Sequence, residues 1–193
     1  VNDEAMVRSY LLHFLTGAGD VKEFAPYVTE DYLKTVQAEA NIVGGHGDAE
    51  QWASQLTPSA YQALKERVDL DFDPTCQEHF TPGERVRVAL HVKNVANLIV
   101  KIYEINTESY YRNFQRPINT HLNLDGLVAN EELAFDYDVS PFQRVKREFD
   151  FPQLDTGRGV WVLEFIGNGK SSRALIRRGG LQYLMQPGSA GHA

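Results

Sequence analysis

Cysteine is almost absent from this chain of 193 residues; Cys76 stands alone, so no internal disulfide can form. No apolar run approaches the length needed to cross a bilayer. There is no block of basic residues either. Nineteen basic side chains face 26 acidic ones, for a formal net charge of -7, which argues against nucleic acid because phosphate binding is driven by clustered Lys and Arg. Asn-x-Ser/Thr sequons are missing, which weighs slightly against a glycosylated ectodomain. The chain opens on Val without the basic, apolar and small-residue succession of a secretory signal, and 187–193 has the Pro, Gly and small residues of a linker or tag remnant. A piece of a longer protein is the expectation, with its compartment left open.

What is present suffices for a core. The chain is 42% hydrophobic, with 10 Phe, 9 Tyr and 2 Trp, which excludes disorder over most of its length and suits one domain or two small ones. Residues 1–67 carry helical periodicity. Val7, Tyr10, Leu11, Phe14 and Leu15 form a stripe capped by Asn2 or Asp3 and stopped by Gly17 and Gly19. Thr29 precedes Tyr32, Leu33, Val36 and Ala40, stopped by Gly44-Gly45. A short helix around Trp52 spans 48–55, and Thr57-Pro58 is a cap with proline at the first helical position.

From residue 68 to 186 the period becomes two. Val68, Leu70 and Phe72 alternate with Asp69, Asp71 and Asp73, whose carboxylates read as a solvated sheet edge. Val86, Val88, Leu90 and Val92 point inward, and Arg85, Arg87, His91 and Lys93 outward. Residues 98–105 are apolar on both faces, as in a central strand. Leu133 to Val139, Val145 to Phe151, and Trp161 to Phe165 add further strands, and Asn168-Gly169 marks a hairpin into 173–176. With Leu122 and Leu124 and with 181–185, about seven strands are expected, in antiparallel sheets uninterrupted by helices. Arg147 shares parity with Val145 and Phe149, which places it at an edge, at a bulge or beside a buried acid. The fold class is α+β by content: an N-terminal helical segment followed by an antiparallel β-sandwich.

Tests for chemistry return little. Gly167 to Ser171 ends like a phosphate loop but has Glu164 where the motif needs glycine, and it leads into a strand. Cys76 and His79 lack further zinc donors, and Asp69, Asp71 and Asp73 lack the glycine and glutamate that complete a calcium loop. Glu131, Glu132, Asp136 and Asp138 fall on the solvent side of an alternating strand. No catalytic residue, cofactor or metal is assigned.

Residues 108–116 suggest contact instead. Tyr110, Tyr111, Arg112 and Phe114 are the residue types of interface hot spots, with at least one of the tyrosines expected to pack inward. Arg173, Arg177 and Arg178 read as an exposed sheet face. The runs 98–105, 110–111, 122–127, 158–165 and 171–176 resemble a macroglobulin-like domain, a seven-stranded immunoglobulin-like sandwich of the alpha-macroglobulin family. The resemblance implies a scaffold packed against like domains. The family's Cys-Gly-Glu-Gln thioester motif is missing, since Cys76 is followed by Gln77-Glu78-His79, and residues 1–67 have no counterpart in a lone domain of that kind.

The expected function is therefore a non-catalytic interaction module of a larger protein, in contact with neighbouring domains or another protein, with no nucleic acid and no membrane insertion. The alternative is a carbohydrate-binding or hydrolytic sandwich using Tyr110, Tyr111 and Phe114 as stacking platforms. A concave pocket with perturbed carboxylates would favour it.

Overall fold

The computed structural model describes residues 3–16 and 21–180. Helix α1 (Glu4–Thr16) is followed by α2 (Glu30–Gly44), α3 (Ala49–Ala53) and α4 (Pro58–Glu66). The predicted cap holds at α4, where the Thr57 side chain accepts from the Ala60 amide, and α3 is capped by Asp48, which accepts from the Glu50 amide. Thr29 stands at the start of α2 without a side-chain capping bond, and Gly45 ends it at φ 70°, where glycine avoids the left-handed penalty. The predicted cap Asn2 and stops Gly17 and Gly19 lie outside the described residues. Leu11 and Leu15 pack against Leu33, Val36 and Ala40 of α2, but Tyr10 and Phe14 of the same predicted stripe face solvent.

The sandwich strands are β1 (Asp69–Phe72), β2 (His79–Phe80), β3 (Arg87–Lys93), β4 (Asn97–Glu104), β5 (Glu131–Asp136), β6 (Arg144–Asp150), β7 (Gly159–Gly167) and β8 (Lys170–Arg178). A small sheet runs β1-β3-β6 and a large one β2-β8-β7-β4-β5. Inward residues of both, among them Leu70, Val88, Leu90, Leu98, Val100, Leu163 and Phe165, make one core. Asn168 and Gly169 take φ 44° and 76° in the β7–β8 turn, as a tight hairpin requires. The helical segment followed by a two-sheet sandwich is thus as expected.

Several expectations need correcting or placing. The sheets are not purely antiparallel, because two-residue β2 runs parallel to the end of β8. A helix does interrupt the strands: α5 (Thr107–Phe114) follows β4. Leu122 and Leu124 form no strand; Leu124 instead plugs a second apolar cluster. The expected strand at 181–185 and the linker at 187–193 lie outside the described residues. Arg147 takes the edge position offered to it, on β6, with its guanidinium 4.4 Å above the Tyr137 ring.

The outer faces of both sheets are covered as well. Tyr103, Val162 and Leu175 on the outside of the large sheet meet Tyr110 of α5 and Ile118 and Leu124 of the following loop. The helical segment covers the small sheet. Phe142, from the β5–β6 loop, lies 4.8 Å from the Tyr61 ring of α4 and joins the Ile42, Val43, Leu56 and Leu64 cluster. Lys93 was expected to point into solvent. It does leave the sandwich core, yet only 1% of it is exposed, because α4 ends directly above it.

Candidate interaction surface

Helix α5 begins at Asn106, whose side chain accepts from the Ser109 amide, and stops where Gln115 turns left-handed at φ 48°. Its amphipathic pattern divides the four predicted contact residues. Tyr110 is buried in the cluster over the large sheet, whereas Tyr111, Arg112 and Phe114 are exposed. Tyr110 holds the outer rings from beneath: Phe114 lies 4.8 Å from it and Tyr111 meets it edge-on at 6.2 Å. Arg112 pairs with Glu108 one turn earlier at 2.7 Å, and Arg116 lies 5.6 Å over Phe114. Leu127 and Val128, further along the covering loop, are also exposed. Helix α5 thus displays two rings and a guanidinium group on a buried base.

Arg173, Arg177 and Arg178 are not an exposed sheet face, and the first two hold this layer down. Arg173 donates to Glu164 at 2.8 Å and to the Leu122 carbonyl at 2.8 Å; Arg177 donates to Glu78 at 2.7 Å and to the Ile118 carbonyl at 2.7 Å. Arg178 is buried and donates to the carbonyls of Glu84 and Asp155. Charged side chains spent on loop carbonyls satisfy backbone groups that the covering layer would otherwise leave unpaired. The signal for this cover was the apolar outer parity of Tyr103, Val162 and Leu175, which an open sheet face would not carry.

The opposite side of the sandwich is charged. A groove of about 660 Å³ runs between α1 and the small sheet, lined by Leu12, His13, Asp69, Asp71, His91 and Arg144 among others. The carboxylates expected at a solvated edge are neutralised here. Asp69 is buried, with Arg67 at 3.2 Å and Arg144 at 3.6 Å; Asp71 has Arg144 at 3.2 Å. Asp73 meets Lys146 at 2.7 Å and accepts from the Thr75 amide and hydroxyl, so its carboxyl is held well below the usual carboxylate range. His91 is pushed below its ordinary value by burial and by Arg144, against the pull of Asp73. Arg67, which also lines the groove, shares buried Glu39 with Arg8.

The carboxylates of this groove are paired with cations. A general acid needs a carboxyl shifted upward, and Asp73 is shifted down. The rings of α5 cover the large sheet while these acids line the small one, so no stacking platform stands beside them. Cys76 donates its thiol to the Ala89 carbonyl at 3.1 Å, a packing role, and His79 lies on β2. Among the described residues no three His, Cys, Asp or Glu side chains are grouped to hold a metal, and no helix is long and apolar enough to cross a membrane.

Comparison with known proteins covers both halves. Residues 1–68 match the family model of the actin-binding protein F N-terminal domain, and 98–179 that of the AbpF first immunoglobulin-like domain. Actin-binding protein F of Dictyostelium discoideum is 36% identical over 192 residues, which is 98% of this chain and 8% of that protein. The chain therefore spans under a tenth of the length of the curated relative it matches. These matches overturn the resemblance to macroglobulin domains. The runs at 98–105 and 158–165 that carried it are alternating strands of a kind any two-sheet sandwich uses, so they identify the architecture and not the family. Likeness to an actin-binding protein and to an immunoglobulin-like domain supports an interaction module.

Proposed function

We propose, from a chain whose successive halves are similar to the N-terminal domain and the first immunoglobulin-like domain of an actin-binding protein, that it is the protein-contacting module of a longer protein. In this reading residues 1–67 form a helical cap and 68–186 an immunoglobulin-like scaffold, and the contact is made by Tyr111, Arg112 and Phe114 on α5. The observation that carries it is the split within α5: buried Tyr110 fixes the helix while two neighbouring rings and a guanidinium group stand in solvent. Exposed aromatic side chains on a rigid base lose little conformational freedom on binding, and aromatic and Arg side chains are the types that dominate interface energies.

The partner proposed is the actin filament, because the relative is an actin-binding protein by name. Co-sedimentation of the chain with filaments tests it. Wild type should pellet with filaments, and Tyr111→Ala with Phe114→Ala should weaken pelleting about tenfold or more. Wild type staying in the supernatant at every filament concentration would refute actin as partner; equal pelleting of the double variant would remove α5 from the contact.

A further inference from the structure

We propose that the free edge of β6 accepts an extended segment of another protein as an added strand, selecting one that carries a carboxylate between two apolar side chains at alternate positions. Strand β6 ends the small sheet, so one of its sides has no neighbouring strand. The Phe151 amide donates to the Val86 carbonyl at 2.9 Å, and the register carries that bonded pairing onward to Val88 with Phe149, Leu90 with Arg147 and Val92 with Val145. Lys146 and Glu148 lie between these bonded pairs. Their amides and carbonyls therefore turn away from β3, as a row of donors and acceptors open to a further strand.

The side chains along this edge define what that strand must carry. On the outer face the charges that commonly guard an edge are already neutralised: Arg144 by Asp71 at 3.2 Å, Lys146 by Asp73 at 2.7 Å and Glu148 by Arg87 at 3.7 Å. Arg147, on the inner face, differs from them. It is half-buried, its Nε has no hydrogen-bond partner, its guanidinium rests 4.4 Å above the Tyr137 ring, and among the described residues no carboxylate pairs with it. A guanidinium withdrawn from water without an anion is costly, and a carboxylate arriving beside it removes part of that cost. Half-buried Val145 and buried Phe149 flank it on the same face. An added strand in register sets its inward residues beside Val145, Arg147 and Phe149, which gives the order apolar, acidic, apolar with one residue between each. A second copy of β6 in that place would set Arg147 against Arg147, so the occupant is a different segment.

The probe is a fluorescein-labelled heptapeptide with valine, glutamate and valine at alternate inner positions and threonine elsewhere, titrated with the 193-residue chain by fluorescence anisotropy. A dissociation constant on the order of 100 µM is expected, weakened about tenfold or more when lysine replaces the glutamate of the peptide. Arg147→Glu should invert that preference, and Arg147→Gln, which keeps most of the stem, should erase it. Glu148→Pro removes an edge amide and no bond to β3, so it should weaken the peptide about tenfold with the melting temperature unchanged. Without any substitution, bound peptide should slow hydrogen exchange at the Lys146 and Glu148 amides. Absence of binding at about 1 mM peptide, equal binding of the glutamate and lysine peptides, a preference that survives both Arg147 variants, or unprotected Lys146 and Glu148 amides would each overturn the proposal. Tyr111→Ala with Phe114→Ala should bind the peptide as wild type does, which keeps this outcome separate from that of the α5 contact.

Discussion

The Lys93 ammonium donates to the Arg67 carbonyl at 2.8 Å, so the last residue of β3 ties down the residue that closes α4. A second bond reaches the Leu64 carbonyl at 2.5 Å. This cation sits on the terminal carbonyls of a helix, where the dipole favours it, but it is stripped of water there.

Burial and the nearby Arg67 push Lys93 down to about 8, against the pull of Asp69 and Glu39. Its value in the unfolded chain is the ordinary one near 10.5. The unfolded state therefore binds more protons between these values, and the stability associated with this group rises as pH climbs from about 8 and is lost as pH falls back through it. Urea melts at pH 7 and pH 10 should show wild type gaining about 1 kcal/mol relative to Lys93→Met. Parallel pH profiles for the two proteins would show that the ammonium is not desolvated.

Asp73, at the other end of the small sheet, shifts stability in the same direction but in an acid window. Its carboxyl is lowered chiefly by Lys146 and then by Thr75, so its contribution is present above about pH 4 and disappears on further acidification. His91 adds to the same trend, since a lowered imidazole must be protonated at a cost as pH drops below its ordinary value near 6.5. Asp73→Asn should cost about 1 kcal/mol at pH 7 and progressively less as pH falls below about 4, measured by thermal melts. A difference that persists undiminished in acid would assign the loss to packing and not to charge.

Within α5 the two adjacent tyrosines should separate cleanly. Tyr110→Ala removes a buried ring from the cluster with Ile118, Leu124 and Leu175 and should cost about 3 kcal/mol. Tyr111→Ala and Phe114→Ala remove exposed rings and should stay within about 0.5 kcal/mol of wild type. Chemical denaturation of the three variants distinguishes support from display, and a large loss in Tyr111→Ala would place that ring in the fold.

Local signals were legible because they report on only a few residues of backbone. Thr57-Pro58 starts a helix and Asn168-Gly169 turns a hairpin wherever they occur, and the alternation Val86, Val88, Leu90, Val92 declares a face. Lys93 and Asp69 were misread because the polar parity of a strand says which face a side chain takes, not what covers that face. In α1 the apolar stripe is wider than the strip α2 can cover, so periodicity alone did not separate buried Leu11 and Leu15 from exposed Tyr10 and Phe14. Of the α5 surface the sequence supplied the residue types; which tyrosine anchors and which is presented follows from the sheet beneath.

From its sequence alone this protein was bound to be helical in its first third and a two-layered β structure after it, because helix caps, turn residues and side-chain period act over neighbouring positions. Only the tertiary structure decided that β2 runs parallel to β8, that arginines of β8 hold the covering loop, and that a lysine closes the junction under α4. Those outcomes depend on contacts between residues tens of positions apart, whose free energies are set by what each group meets after the chain has closed upon itself.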